Sequence, residues 1–164
     1  ENLNAYNNNL PLPHIVTKQF VEMFTVSVGS MGALSALTAI FLVSKIKQQR
    51  EVAKLGFIPG IFNIAEPTLF GLPVILNPIM AIPWMLGGPL TAAIAYFATV
   101  TGIMPKTTGV AVPWTMPLGI GGTLATNSIM GGVVQVICFI AVVLLCIPFI
   151  LYSQKEFKTK EQNT

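Results

Sequence analysis

The chain has 164 residues, of which 53% are hydrophobic and only 9% are charged, and its formal net charge is +3. A soluble domain carries about 25% charged residues, so the composition excludes an ordinary soluble domain and indicates a membrane protein. The positive charge is concentrated at residues 45–54 and 154–160, and neither cluster has the series of interleaved aromatic residues that is suited to stacking bases, so we expect no nucleic-acid partner.

The first predicted elements are a polar loop and a long membrane helix. Residues 1–13 are rich in Asn and contain two prolines, which predicts a loop. A helix is predicted from His14 to Ser44, because its central part is apolar and carries no charge. Pairs of small residues four apart predict that this helix packs closely against another membrane helix. The pairs are Gly29 with Ala33 and Gly32 with Ala36.

Two segments of the chain are uncharged or nearly so, but are interrupted by Gly and Pro. They are residues 56–73 and residues 100–128. Backbone groups that are left unpaired at such breaks cannot face lipid, because each would cost several kcal/mol. We therefore predict two re-entrant segments, each buried in protein or lining a watery cavity.

The remaining apolar stretches predict two further membrane crossings, Val74–Thr99 and Ile129–Tyr152. The last has a length of roughly 36 Å as a helix, which is enough to cross. The positive-inside rule predicts that both basic clusters face the cytoplasm, so the chain crosses an even number of times between them. The predicted fold is an all-α polytopic membrane protein with about three transmembrane helices, two re-entrant segments and a cytoplasmic C-terminus.

Glu66 is the strongest functional candidate, because it and Lys106 are the only formal charges between Leu55 and Gln154. An ionisable residue at membrane depth is costly and by default marks a substrate or ion pathway. The alternative is that its carboxylate accepts backbone N–H groups and holds a re-entrant turn.

Three more residues are candidates for the site. The Asn63 amide can donate hydrogen bonds to sugar hydroxyl groups and accept them, or else it stabilises a backbone turn. His14, the only histidine, belongs to the residue type that most often transfers protons, or else lies at the membrane interface. Trp114, between two prolines, offers a stacking surface for a sugar ring, or else anchors the interface.

The sequence predicts no metal site and no cofactor. It contains no His/Cys cluster, no phosphate-binding loop and no dinucleotide fingerprint. Cys138 and Cys146 are eight residues apart, which matches no metal or disulfide-exchange pattern, so we expect them to be buried and inert.

Three sequence blocks resemble a known family. They are PLPHIVTKQF at 11–20, GIFNIAEPTLFGLPVILNP at 60–78 and VPWTMPLGIGGTLAT at 112–126. In this order they are similar to the membrane permease subunit, enzyme IIC, of the bacterial phosphotransferase system, in its lactose, cellobiose and diacetylchitobiose branch. Ala65 stands where that family usually has Asn, and Met116 where Thr is common, but His14, Glu66 and Trp114 match.

The resemblance implies that residues 1–164 are a fragment, the C-terminal sugar-binding portion of a longer permease in the bacterial cytoplasmic membrane. It also implies a disaccharide substrate, phosphorylated on its 6-hydroxyl by a phosphocysteine of a separate enzyme IIB subunit, and a homodimer formed through the N-terminal half. Glu66 and His14 would then assist the transfer, and Asn63 and Trp114 would help to bind the sugar.

Two other functions fit the residues. A proton-coupled secondary sugar transporter would use Glu66 as its proton site and would deliver free sugar, whereas the permease would deliver a sugar phosphate. A membrane scaffold without transport activity would show no saturable sugar binding and no defect in Glu66→Gln.

Overall fold

The computed structural model describes residues 1–30, 33–72 and 78–162, and the regular structure in these ranges is entirely helical. The elements in chain order are α1 (Asn2–Asn7), α2 (Lys18–Phe20), a π-helix (Val21–Ser30), α3 (Ala33–Val43), α4 (Lys47–Ile61), α5 (Glu66–Gly71), α6 (Pro78–Val100), α7 (Ile120–Thr126) and α8 (Ile129–Gln162).

Three helical stretches are long and apolar enough to cross a membrane. They are Lys18–Val43, Pro78–Val100 and Ile129–Glu156, with mean hydropathies of 1.9, 1.4 and 3.0. The prediction of about three transmembrane helices therefore agrees with the structure. The predicted start of the second crossing, at Val74, lies outside the described residues.

The predicted helix start at His14 is wrong by four residues. Thr17 is extended, and its Oγ1 accepts a hydrogen bond from the Phe20 N–H at 3.1 Å, so Thr17 is the N-cap of α2. The prediction of a loop throughout residues 1–13 is also wrong, because α1 occupies Asn2–Asn7.

The last helix extends ten residues beyond the predicted end at Tyr152, to Gln162. The prediction stopped where the apolar run stops, but the polar tail is rich in Gln, Lys and Glu. These residues have high helix propensity, so the helix continues after its apolar part has ended.

In the segment 56–73, which was predicted to be interrupted by Gly and Pro, the described residues 56–72 form a helical hairpin. Helix α4 passes through Pro59 and Gly60 and ends at Ile61, and α5 starts at Glu66. The interruption comes at 62–65, where Asn63 has a φ of 61°. A residue in the left-handed region commonly ends a helix, and Asn tolerates that conformation well.

The first span packs closely against α6, as the small residues predict. A Cβ added at Gly29 would lie 2.7 Å from Gly88 Cα and 2.5 Å from Thr91 Oγ1, so no larger residue fits there without movement. Gly32 of the second predicted pair lies outside the described residues.

The spans share two apolar clusters. One includes Leu37 and Ile40 of α3 with Ile150 of α8, and the other includes Phe24 of the π-helix with Val134 of α8.

The ends of the spans are connected by side-chain hydrogen bonds. Gln154 near the end of the third span accepts from the Lys45 backbone N–H at 2.9 Å and donates to the Val43 carbonyl at 3.0 Å. At the opposite end, the Thr17 and Thr107 hydroxyls are 2.6 Å apart. The two basic clusters therefore start on the same side of the bundle, in agreement with an even number of crossings between them.

Candidate functional site

Asn63 joins the two loops that the sequence singled out. Its Nδ2 donates to the Trp114 carbonyl at 2.7 Å and to the Met116 carbonyl at 2.9 Å. These residues are 51 and 53 positions away along the chain. The block that contains Glu66 and the block that contains Trp114 are thus in direct contact.

The position of Asn63 follows from the end of α4. The Asn63 N–H donates to the Gly60 carbonyl at 3.0 Å, and the Ile64 N–H donates to the Pro59 carbonyl at 3.1 Å. These bonds satisfy the last turn of the helix and turn the chain. The Asn63 side chain uses both of its amide hydrogens on the other loop, which leaves its Oδ1 as the group that can accept from a sugar hydroxyl.

Glu66 is the first residue of α5 and is exposed to solvent in this chain. A carboxylate in the first turn of a helix is favoured by the helix dipole. Ala65, which precedes it, is buried at 5% exposure. The short turn thus buries Ala65 and leaves the neighbouring carboxylate accessible.

Trp114 lies in a tight turn with much of its ring accessible. The Met116 N–H donates to the Pro113 carbonyl at 3.1 Å, which closes the turn around Trp114. The Trp114 side chain is 56% exposed. A ring that is both accessible and set in a restrained turn can stack on a flat apolar partner.

The backbone of His14 is held by the Asn2 side chain. The Asn2 side chain accepts from the His14 N–H at 3.0 Å and donates to the His14 carbonyl at 2.8 Å, and it also donates to the Thr107 carbonyl at 2.8 Å. Asn2 is only 4% exposed. Lys106 Nζ adds a bond to the Leu12 carbonyl at 2.6 Å.

The His14 ring pairs with Glu1. His14 Nε2 and Glu1 Oε2 are 2.5 Å apart, and this hydrogen bond lowers the pKa of the Glu1 carboxyl below its usual value. Both side chains are largely exposed.

His14 also lines a cavity of about 410 Å³. Neither Glu66 nor Trp114 lines that cavity. The structure therefore brings Asn63 and Trp114 into contact, with Glu66 nearby in the chain, while His14 faces a separate space.

Sequence reasoning missed two amide side chains that hold this region. Asn2 was not identified because it lies in an Asn-rich stretch that predicts a loop. Gln135 is 1% exposed and hydrogen-bonds to three backbone groups. They are the N–H of Gly119 just before α7, the N–H of Gly122 in α7, and the carbonyl of Met23 in the π-helix. A signal for Gln135 was present, because a lone amide in an apolar helix must find partners.

Cys138 and Cys146 are free and buried, as predicted. Among the residues that the structure describes, no three His, Cys, Asp or Glu side chains are grouped so that they could hold a metal ion.

Comparisons with known proteins place this geometry in a family. The profile of the family "Phosphotransferase system, EIIC" matches residues 1–88. The oligo-beta-mannoside-specific EIIC component of Bacillus subtilis is 44% identical over 164 residues, which cover 99% of this chain and 37% of that protein. The cellobiose-specific EIIC component of Geobacillus stearothermophilus is 35% identical, over 95% of this chain and 35% of that protein.

A solved structure has the same fold. The crystal structure of ChbC, the IIC component of the N,N'-diacetylchitobiose-specific phosphotransferase system, superposes with a TM-score of 0.90 and 28% identity, over 98% of this chain and 38% of that chain. This chain thus spans little more than a third of the length of these relatives. On the profile match and these likenesses, the chain belongs to the EIIC family of the phosphotransferase system.

Proposed function

We propose that this chain is the C-terminal, sugar-binding portion of a permease that imports a β-linked disaccharide resembling cellobiose. The family membership supports the class of protein, and the relatives named for cellobiose and oligo-beta-mannosides support the class of sugar. The observation that carries the proposal is the Asn63 side chain, which joins the loop next to Glu66 to the loop of Trp114.

The hairpin of α4 and α5 is proposed to be re-entrant. A Cβ at Gly60 would lie 3.2 Å from Leu37 Cδ1 and 3.6 Å from the Leu34 backbone N, so α4 runs back along α3. Leu34 is nine residues before Val43, the end of the first span, which corresponds to about 13 Å of helix. The tip of the hairpin would then lie near the middle of a hydrocarbon core about 30 Å thick.

The loop of Trp114 is proposed to enter from the opposite side. It follows α6, which ends at Val100, and Thr107 in the same connection meets Thr17 at the start of the first span. Two segments that enter from opposite faces and meet near the midplane form the type of site that transporters use.

Glu66 and His14 are proposed to assist phosphoryl transfer to the sugar 6-hydroxyl. A hydroxyl is a weak nucleophile, and a carboxylate that accepts its hydrogen bond orients it and takes its proton. His14 would share that proton or offset developing charge. Because His14 faces a separate cavity in this structure, the two residues would converge only when sugar is bound or when the remaining part of the permease is in place.

The proposed partners are a phosphorylated enzyme IIB subunit, the lipid bilayer and a second copy of the permease. The phosphoryl donor would be a phosphocysteine of enzyme IIB, and the dimer would form through the part of the relatives that this chain does not match. The location would be the bacterial cytoplasmic membrane, with both basic clusters on the cytoplasmic side.

This orientation can be tested by labelling. The cysteine side chain introduced by Gln48→Cys should react with an impermeant reagent only after the cytoplasmic side of the membrane is opened. Labelling in intact cells would contradict the orientation.

The product identifies the mechanism. The full-length protein in vesicles, supplied with phosphorylated enzyme IIB and labelled cellobiose, should release cellobiose phosphate into the IIB compartment. Unphosphorylated IIB provides the control and should give no phosphorylated product. Accumulation of free cellobiose driven by a proton gradient would instead favour a secondary transporter, and absence of saturable uptake of any disaccharide would favour a scaffold.

A further inference from the structure

Gln135 lies at the point where three elements of the bundle meet. Its Oε1 accepts from the Gly119 N–H at 2.8 Å and from the Gly122 N–H at 2.9 Å, and its Nε2 donates to the Met23 carbonyl at 2.9 Å. The side chain belongs to α8, Gly119 is the N-cap of α7, Gly122 lies in the first turn of α7, and Met23 is in the π-helix. A single amide group therefore bonds α8 to both other elements.

The start of α7 depends on this side chain for its backbone hydrogen bonds. The Ile120 and Gly121 N–H groups donate to the Pro117 carbonyl at 3.1 and 3.3 Å. The other two N–H groups at the start of this helix, those of Gly119 and Gly122, donate to Gln135. A cap supplied from another helix thus replaces the side-chain cap that helices usually take from their own N-terminal residue.

Gly119 makes the connection between this cap and the loop of Trp114. It has a φ of 84°, a conformation that glycine adopts without strain, and it lies five residues after Trp114, at the end of the loop. Asn63 holds the earlier part of the loop at the Trp114 and Met116 carbonyls, and Gln135 holds the later part at Gly119. The loop is therefore fixed at two places by amide side chains that are distant in sequence.

We propose that Gln135 is a positioning residue for sugar binding, which acts by fixing the Trp114 loop to the first and last spans. This inference rests on the proposed function above. Gln135 itself lies in the core at 1% exposure, so its effect on the sugar is transmitted through the loop.

The loop can be examined without sugar. In the full-length protein with Trp84→Phe and with any tryptophans outside this chain replaced, Trp114 fluorescence anisotropy should fall in Gln135→Leu. Leu approximates the size of Gln but leaves the Gly119 and Gly122 N–H groups without an acceptor. Gln135→Glu keeps an acceptor oxygen at the same reach, so it should restore much of the anisotropy. Unchanged anisotropy in Gln135→Leu would overturn the proposal.

Cellobiose binding, followed by the same fluorescence, gives the second measurement. We expect Gln135→Leu to weaken binding by about ten-fold and Gln135→Glu to recover part of that loss. Val134→Ala is the matched control, since Val134 is a buried neighbour on the same helix; it should lower the unfolding temperature and leave affinity unchanged. Normal affinity in a destabilised Gln135→Leu would show a merely structural role and overturn the proposal.

Two outcomes keep the inference separate from the proposed function. If the wild-type protein binds no disaccharide, the proposed function fails, and the anisotropy still decides whether Gln135 fixes the loop. If Gln135→Leu does not fold, Gln135→Asn takes its place, because its amide is one methylene too short to reach all three partners. It should show the same loss of anisotropy and affinity, and wild-type values for both would overturn the proposal.

Discussion

The two loops that meet at Asn63 are held in different ways. Residues 62–65 separate α4 from α5, and the N–H groups of Phe62, Asn63 and Ile64 donate to carbonyls at the end of α4. Residues 101–119 separate α6 from α7, and they are held by the side chains of Asn2, Asn63 and Gln135 as well as by local turns. The short loop thus takes its geometry from the helix before it, whereas the long loop takes much of its geometry from side chains far away in sequence.

This difference has a consequence for mutations. A substitution after the short loop should remove the chemistry of a side chain and leave the backbone in place. A substitution that releases the long loop should change the position of everything on it. The two classes of variant therefore separate loss of chemistry from loss of geometry.

The largest expected effect is that of Glu66→Gln, which follows the short loop. The amide keeps the shape and some hydrogen bonding but cannot take a proton, and a general base contributes about 10²- to 10⁴-fold to a rate. We expect phosphorylation of cellobiose to fall at least 100-fold, roughly 2.7 kcal/mol of barrier, while binding stays measurable. The measurements are single-turnover phosphoryl transfer from phosphorylated IIB and equilibrium binding.

Thr68→Ser is a useful control for Glu66→Gln, because it alters α5 two residues later without touching a carboxylate. It should transfer phosphate at close to the wild-type rate. Near-normal transfer by Glu66→Gln at normal expression would remove Glu66 from the chemistry and leave it as a residue that shapes the turn.

The second effect is that of Asn63→Gly, which should release the long loop. Glycine accepts the φ of 61° without strain, so the turn persists while both hydrogen bonds to the Trp114 and Met116 carbonyls are lost. At about 1 kcal/mol for each bond, sugar affinity should fall roughly 30-fold. Isothermal titration of the full-length protein with cellobiose measures this loss.

Asn63→Asp tests whether Asn63 acts by joining the two loops or by binding the sugar directly. Asp tolerates the same backbone conformation and keeps an acceptor oxygen, but as a carboxylate it cannot donate to the two carbonyls. If Asn63 acts by joining the loops, the Asn63→Asp protein should bind sugar no more tightly than the Asn63→Gly protein does. Wild-type affinity in Asn63→Asp would show that the acceptor oxygen, rather than the bridge, is what the sugar requires.

The sequence predicted the features that depend on local composition. Uncharged apolar runs identified the three spans, and the clustered basic residues identified the ends that lie together at Lys45 and Gln154. The boundaries were less accurate, because they depend on specific groups. Thr17 caps the first span, and α4 passes through Pro59 and ends at Ile61, two residues before the left-handed Asn63.

The contacts between the loops could not be predicted in the same way. Asn63 and Trp114 were each identified as candidates, but the bond between them joins residues 51 apart, and no periodicity encodes such a pairing. Asn2 and Gln135 act on backbone groups, so their partners carry no distinctive side chain in the sequence. What the sequence offered at Gln135 was a lone amide in an apolar helix, which predicts that partners exist but not which ones.

The smallest expected effect is that of Trp114→Ala, which leaves both loops fixed and removes only a surface on the long one. Asn63 bonds to the backbone carbonyl of Trp114, and an Ala at this position keeps that carbonyl. The ring is 56% exposed, so its loss creates little cavity and should hardly change the unfolding temperature. The C–H groups on one face of a pyranose can lie against the indole, and losing this contact should weaken binding by about ten-fold, or ~1.4 kcal/mol.

Trp114→Phe tests whether stacking is the cause. A smaller ring in the same turn still offers a flat apolar face, so it should recover part of the affinity that Ala loses. The sugar-induced change in tryptophan fluorescence should persist in Trp84→Phe, since Trp84 packs against the apolar cluster around Leu37 and Ile40. If Trp114→Ala binds cellobiose as well as wild type does, the ring is an interfacial anchor. The long loop would then serve the sugar through its backbone, which Asn63 and Gln135 hold in place.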